Sequence, residues 1–280
     1  MDSNVDENAR PTVNIEIGLL LEAVNEKYGY DFRDYAKAYL KRRLLRRVKM
    51  SGLQSISELQ HKVLHDAEFF ELMVQDLSIH VTEMFRDPSF FRAFRKEVVP
   101  VLHTYPTVKV WHAGCSSGEE VYSMAILLKE EGLYDRALIY ATDLNETILE
   151  SAKNAIIPLD RMRQYSVNYQ KAGGQHSLSE YYAAHHNSVV LDRGLRKNIV
   201  FAAHNLVSDS VFGEMQVVIC RNVVIYFTRA LQRHVFETFC ASLCRRGFLC
   251  LGSKETLSFW PGEDGFEQVV PDEKIFRKRK

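Results

Sequence analysis

The residues best able to do chemistry stand where short apolar runs end. Val108–Trp111 leads into His112-Ala113-Gly114-Cys115-Ser116-Ser117-Gly118, after which Glu119 and Glu120 begin an amphipathic segment. Glycine and serine let a backbone approach a ligand closely, and a new helix N-terminus presents unpaired N–H groups. A phosphate would use such a turn directly. Here two glutamates at the helix start repel it, no lysine completes a Walker-type loop, and the third glycine of a dinucleotide fingerprint is missing. The turn suits a nucleoside-like or positively charged ligand, such as a sulfonium.

Three other groups follow apolar runs in the same way. Tyr140-Ala141-Thr142 is followed by Asp143, roughly twenty residues past the glycine turn, where a carboxylate can accept both ribose hydroxyls of a nucleoside. The competing reading makes Asp143 the N-cap of a helix over Asn145–Asn154. The run Val217-Val218-Ile219-Cys220 is followed by Arg221, Asn222 and, a little further on, Tyr226. Arg221 either faces a ligand at the rim of a sheet or pairs with a core carboxylate. His204-Asn205-Leu206 points to the same rim, with Asn205 placed to read an adenine edge and Leu206 to pack on it. Far upstream, Ser78–Arg86 carries His80, Thr82 and Arg86; Thr82 and Arg86 share a face if the segment is helical.

These groups need a scaffold, and the hydrophobic pattern supplies one. Residues 14–103 read as helices with short joints, the last running over Ser89–Val99 and ending at Pro100. From Val108 strand and helix alternate, which argues for a parallel sheet covered on both faces. The alternation stops between Pro158 and Arg196, where a small inserted subdomain with a helix and an antiparallel hairpin is expected. It resumes at Asn198–Phe201 and Gln216–Cys220; Thr228–Arg245 reads as a helix stopped at Gly247, and Phe248–Leu251 as a strand, with a last strand near the basic C-terminus. The expected organisation is a disordered lead over 1–12, a helical domain over 13–103 and an α/β domain over 104–280, with the insert at about 158–197.

Composition narrows the class. Thirty-six basic residues balance thirty-six acidic ones, so no bulk field argues for nucleic acid. The five cysteines follow no zinc or disulfide spacing and read as buried thiols of a reducing cytoplasm, with no metal site expected. No apolar run reaches the ~18 residues of a membrane span, and the N-terminus does not resemble a signal peptide. Locally, Lys41–Lys49 holds six positive charges in nine residues. With Leu40, Leu44, Leu45 and Val48 on one side, Arg42, Arg43, Arg46 and Arg47 take the other, a docking surface for an acidic partner. Nucleic acid competes for that surface, but no aromatic stacking platform accompanies it.

Taken in order, T-E-M-F-R (82–86), A-G-C-S-S-G-E-E-V-Y-S (113–123), A-T-D (141–143), H-N-L (204–206) and C-R-N-V-V-I-Y-F (220–227) resemble the CheR family of bacterial chemotaxis receptor methyltransferases. The likeness runs over roughly 15–275. It implies a small all-helical N-terminal domain and a Rossmann-like S-adenosylmethionine-dependent methyltransferase domain with an inserted β-subdomain. It further implies cofactor contacts from His80, Thr82, Arg86, Glu120, Asp143, Asn205, Leu206, Arg221 and Asn222. Arg86 and Tyr226 would flank methyl transfer from S-adenosylmethionine to a receptor glutamate, leaving S-adenosylhomocysteine. Arg42, Arg43, Arg46 and Arg47 would dock the acidic cytoplasmic helices of a chemoreceptor, placing the protein in the cytoplasm at receptor arrays. The family usually has Asn where His80 stands, and G-H-S-E where this chain has Gly252-Ser253-Lys254-Glu255. The insert is short between Tyr181 and Phe201, which by the same resemblance implies a tether-independent member that does not bind a receptor's C-terminal peptide. Two rivals remain: a methyltransferase acting on RNA, and a cofactor-sensing interaction module that transfers nothing.

Overall fold

The computed structural model describes residues 9–77 and 82–279. They group into two compact units, one formed by the chain before residue 80 together with Tyr226–Gln232, the other by the rest.

The first unit is helical. It comprises α1 (Ala9–Tyr28), α2 (Lys37–Met50), α3 (Ile56–His65) and α4 (Ala67–Leu77). The lead expected to be disordered over 1–12 is therefore helical from Ala9, with residues 1–8 outside the described residues. Leu20, Leu21 and Val24 of α1 are buried together with Leu59 and Val63 of α3, and α2 and α4 contribute Leu40, Leu44, Met73 and Leu77. Ser55 caps α3 by accepting the Glu58 N–H. Leu45, counted on the apolar side of α2, is 39% exposed; the buried face is Tyr39, Leu40, Leu44 and Val48. Tyr226–Gln232 joins this unit through backbone pairing: Ala36 donates to the Tyr226 carbonyl and Thr228 to that of Asp34, around a Tyr35–Phe227 bridge.

The second unit starts earlier in the chain than expected. Its first elements are α5 (Pro88–Ala93), a π-helical turn over Phe94–Val98, and α6 (Val99–Leu102). Phe85, Phe90, Phe91, Phe94 and Leu102 are fully buried in one cluster with Val108, Met124, Leu127 and Val217. That apolar face explains why the boundary falls near residue 80 and not at 103. Pro100 does not end the helix: the π turn passes the Val99 N–H to Phe94 O and absorbs the register change before a residue with no N–H to give.

Strands and helices then alternate as β1 (Val108–Ala113), α7 (Glu119–Glu130), β2 (Ala137–Asp143) and α8 (Glu146–Asn154). The insert follows, with β3 (Ile156–Pro158), α9 (Met162–Lys171), β4 (Tyr182–His185) and β5 (Ser188–Leu191); its strands form a separate antiparallel sheet in the order β3-β5-β4. The main sheet is completed by β6 (Ile199–Ala203), β7 (Met215–Cys220), α10 (Arg229–Ser242), β8 (Leu243–Leu251), β9 (Phe266–Val270) and β10 (Ile275–Lys278). Its order is β6-β2-β1-β7-β8-β10-β9. Five strands are parallel, and the last two close the edge as an antiparallel hairpin. The helix expected to stop at Gly247 stops at Ser242. Leu243 already pairs with Met215, and the register shifts between that pair and the pairing of Val217 with Phe248, a stretch in which Arg246 takes φ 65°. Among the described residues no helix is long and apolar enough to cross a membrane.

Candidate functional site

Chain order reverses at β1, whose neighbours are β2 on one side and β7 on the other. A crevice opens at the carboxyl ends of strands at such a point. The register brings the ends into line: His112 lies beside Ala141 and Ile219, and Asp143 beside Ala203. The residues just past β1, β2, β6 and β7 therefore share one rim, as the motif positions require.

The turn after β1 is tied to the end of β2. Gly114 and Cys115 both donate to Thr142 O, at 2.8 and 2.9 Å, and the Ser116 N–H donates to Asp143 Oδ2 at 2.8 Å. Gly114 sits at φ +78°, and a Cβ on it would lie 2.6 Å from Val223 Cγ2. Only glycine lets the segment after β7 come this close to the turn. The choice left open at Asp143 is settled locally. Asn145 is the cap of α8, its Oδ1 accepting from Ile148 N–H at 3.2 Å, while Asp143 Oδ1 accepts from Asn145 N–H at 3.1 Å. Asp143 thus braces the turn from β2 and is not a helix cap.

Glu120, one residue into α7, is held at both oxygens. His112 Nδ1 lies 3.3 Å from Oε1, and Arg221 Nη1 donates to Oε2 at 2.7 Å. Arg221 also donates through Nη2 to Asp87 at 2.6 Å, and its guanidinium lies 4.2 Å above the Phe90 ring. Burial alone would raise the Glu120 pKa; the Arg221 charge and the His112 contact overcome this and bring it down to about 2. Its neighbour Glu119 goes the other way. Burial raises it, and the Ser117 hydroxyl, at 2.6 Å, offsets this only in part. The pKa values of two adjacent glutamates are thereby pushed in opposite directions.

Of the two readings of Arg221, the structure carries the carboxylate pair: its side chain is 2% exposed and serves Glu120 and Asp87. With its charge balanced twice over, it offers little to an anion, and Asp143 adds a further negative group at the next strand end. The donor set fits a cationic, nucleoside-bearing ligand such as S-adenosylmethionine and disfavours a phosphate.

The other expected residues divide. Thr82 and Arg86 lie in a turn and not on a helix face. Phe85 and Asp87 take left-handed φ of 53° and 54°, and the Phe85 N–H is fixed by Ser123 Oγ at 2.8 Å. The Arg86 carbonyl accepts from Arg221 at 3.4 Å, which joins this turn to the network around Glu120. Leu206 is 8% exposed, and Asn205 Oδ1 accepts from the Val207 N–H at 2.9 Å, so the carboxamide oxygen serves the local turn. Asn222 has φ 62°. Tyr226 belongs to the helical unit, where its ring lies 4.7 Å from that of Tyr39. His80 lies outside the described residues.

On α2, Arg42 and Arg46 are exposed and Arg43 lies over the Tyr39 ring at 5.7 Å. Arg47 corrects the expectation. It turns inward to an ion pair with Asp76 of α4 and donates to Leu72 O, so it holds two helices together and presents no docking charge. Sequence reasoning also passed over His112, Asp87 and Glu255. His112 and Asp87 flank motif residues, and Glu255 closes the G-x-x-E departure, but Asp87 meets Arg221 and Glu255 meets Asn222 and Val223 only through the fold.

Comparison with known proteins agrees with this geometry. Residues 80–274 match the CheR methyltransferase S-adenosylmethionine-binding domain, and residues 15–78 the CheR methyltransferase all-alpha domain. Cher3 of Pseudomonas putida, which bears a methyltransferase name, is 52% identical over 265 residues, spanning 95% of this chain and 97% of its own. Chemotaxis protein methyltransferases of Listeria innocua and Listeria monocytogenes are 30% and 29% identical, each over 84% of this chain and 87% of theirs.

Proposed function

The chain belongs to the CheR methyltransferase family, and from that premise we propose that it methylates glutamate side chains in the cytoplasmic helices of chemoreceptors, giving glutamate methyl esters in chemotaxis adaptation. The observation that carries the reading is the Glu120 carboxylate held between Arg221 and His112, on a rim whose charge suits an ammonium and a sulfonium. The chemotaxis names of the relatives support the acceptor, and the exposed Arg42 and Arg46 suit its acidic helices. A member of this kind acts in the cytoplasm, where receptor arrays recruit it without a tethering peptide.

S-adenosylmethionine supplies, when bound, an electrophilic methyl that an ionised glutamate can take. The residues of the chain hold and orient. Glu120 would hold the ammonium, Asp143 the ribose hydroxyls, and Leu206 with the amide of Asn205 the adenine; Thr82, Asn222 and, by the family resemblance, His80 would complete the contacts. Arg221 acts through Glu120. The acceptor carboxylate is already ionised at neutral pH, so no general base is needed and catalysis is mostly positioning and desolvation. Arg86 would orient that carboxylate with paired N–H donors, and the Tyr226 ring would attract the cationic methyl centre.

Incubating the protein with methyl-labelled S-adenosylmethionine and receptor cytoplasmic fragments should yield base-labile label on the receptor. Arg86→Ala should lower that turnover by about 30-fold, with S-adenosylhomocysteine affinity changed less than about fivefold. Label on RNA and none on receptor fragments would replace the acceptor. Cofactor binding with no single-turnover transfer would make the chain a sensing module, and full turnover by Arg86→Ala would remove that residue's role.

A further inference from the structure

The rim contains a second carboxylate arrangement for which the reaction itself gives no reason. Glu255 is 3% exposed, and among the described residues no cation lies within ion-pair distance of it. Its partners are backbone donors. Oε2 accepts from the Gly252 N–H at 2.6 Å and the Asn222 N–H at 3.1 Å, and Oε1 from the Val223 N–H at 2.9 Å. Burial raises its pKa, and these N–H groups pull the other way. A buried carboxylate without a cation costs desolvation that only its hydrogen bonds can offset.

What they hold is the segment carrying Arg221. Leu251 of β8 lies beside Cys220 of β7, so the turn Gly252–Glu255 leaves the sheet next to Arg221–Val223. Asn222 is held at φ 62°, a conformation in which a non-glycine residue is uncommon and needs support. Two close approaches complete the assembly. A Cβ on Gly252 would lie 2.9 Å from both Asn222 N and Glu255 Oε2, and Val223 presses on Gly114 of the β1 turn. Glu255 therefore fixes two successive N–H groups directly after Arg221, and Arg221 in turn fixes Glu120.

We propose that Glu255 is a positioning residue for cofactor binding: by gathering the N–H groups of Gly252, Asn222 and Val223 it sets the left-handed turn that keeps Arg221 on Glu120 and Asn222 at the rim. The proposal rests on the reading of Glu120 and Asn222 as cofactor contacts. It assigns the carboxylate of the G-x-x-E turn a role at a distance, with no contact to cofactor or acceptor.

The test is calorimetric titration with S-adenosylhomocysteine, which needs no acceptor, alongside thermal unfolding. Glu255→Ala should weaken binding by about 30-fold. Glu255→Gln should restore part of this, to a loss of about fivefold, because its one carbonyl oxygen can take the Oε2 position with two N–H donors while its NH₂ opposes the Val223 N–H. In turnover assays the KM for S-adenosylmethionine should rise with kcat at saturation within about threefold. If Glu255→Ala does not fold, the Gln variant alone decides. A Gln variant that binds S-adenosylhomocysteine within twofold of wild type, whatever its thermal midpoint, overturns the proposal, as does lost kcat at unchanged KM. A wild-type chain that binds S-adenosylhomocysteine but methylates no receptor fragment overturns the acceptor reading alone and leaves this test intact.

Discussion

Arg221→Ala is expected to weaken S-adenosylhomocysteine binding by about a hundredfold and to lower folding stability by about 3–5 kcal/mol. The substitution removes a guanidinium that is 2% exposed and bonded to Glu120 at 2.7 Å and Asp87 at 2.6 Å. Asp87, 43% exposed, can recover water, but Glu120 keeps only the His112 contact at 3.3 Å. The pH dependence follows from the same pair. The Glu120 pKa is lowered from 4.5 to about 2 in the fold. Its contribution, on the order of 3 kcal/mol, is therefore complete above pH 4.5 and lost as pH falls towards 2. In the Arg221→Ala chain burial prevails and the Glu120 pKa rises, so the stability lost relative to wild type should be largest at pH 7 and shrink as pH falls and the carboxylate takes up a proton. Arg221→Lys should rescue only part, since one ammonium cannot span two carboxylates as the guanidinium fork does. Urea unfolding at pH 7 and pH 4.5, with calorimetry at pH 7, checks all three statements. An unchanged urea midpoint at both pH values would show that the ion-pair network carries no stability.

Reversing Arg42 and Arg46 to Glu together should reduce receptor-fragment methylation by about a hundredfold at low salt while leaving S-adenosylhomocysteine affinity within twofold. The two positions are four apart on α2, so they share a face, and both are exposed. A single exposed ion pair contributes only ~0.2–1 kcal/mol. Reversal does more, because it places repelling charges against an acidic helix and removes the attraction that speeds encounter. Wild-type methylation should accordingly slow as ionic strength rises, and the variant should lose most of that dependence. Arg47→Ala is the control from the same helix. It should lower the unfolding midpoint through its lost partner Asp76, with a much smaller effect on encounter. If the double reversal instead abolished cofactor affinity, α2 would be a structural element and the docking assignment would fail.

Much of this protein is legible in its sequence where the physics is local. The glycine turn after β1 follows from residue types alone, because Gly114 must accept a left-handed φ and a close neighbour. The burial of Leu40, Leu44 and Val48 on α2 follows from a helical period, and the alternation of strand and helix after Val108 from apolar runs broken by turn residues. Local rules misled where tertiary packing set the boundary. Pro100 looked like a stop until the π turn before it is considered. Gly247 looked like a helix end, yet the pairing of Leu243 with Met215 ends the helix first. The phenylalanines of α5 looked like part of the helical domain because nothing in their spacing says which core they enter.

The sequence by itself determined the alternation of strand and helix, the strand ends on which the motif residues stand and, through their order, the methyltransferase family. Only the tertiary structure decided who partners whom. Arg221 meets Glu120 across 101 residues and Asp87 across 134, and Glu255 meets Asn222 across 33. Such pairs are set by strand order and register, which place β7 beside β1 and β8 beside β7; sequence spacing carries no trace of them. Arg46 and Arg47 make the same point on a smaller scale: neighbours of one charge, separated by ~100° on a helix, one facing solvent and the other closed onto Asp76 of α4. A charged residue's type states what it can bind, and the chain packed around it decides whether that partner is a ligand or the protein itself.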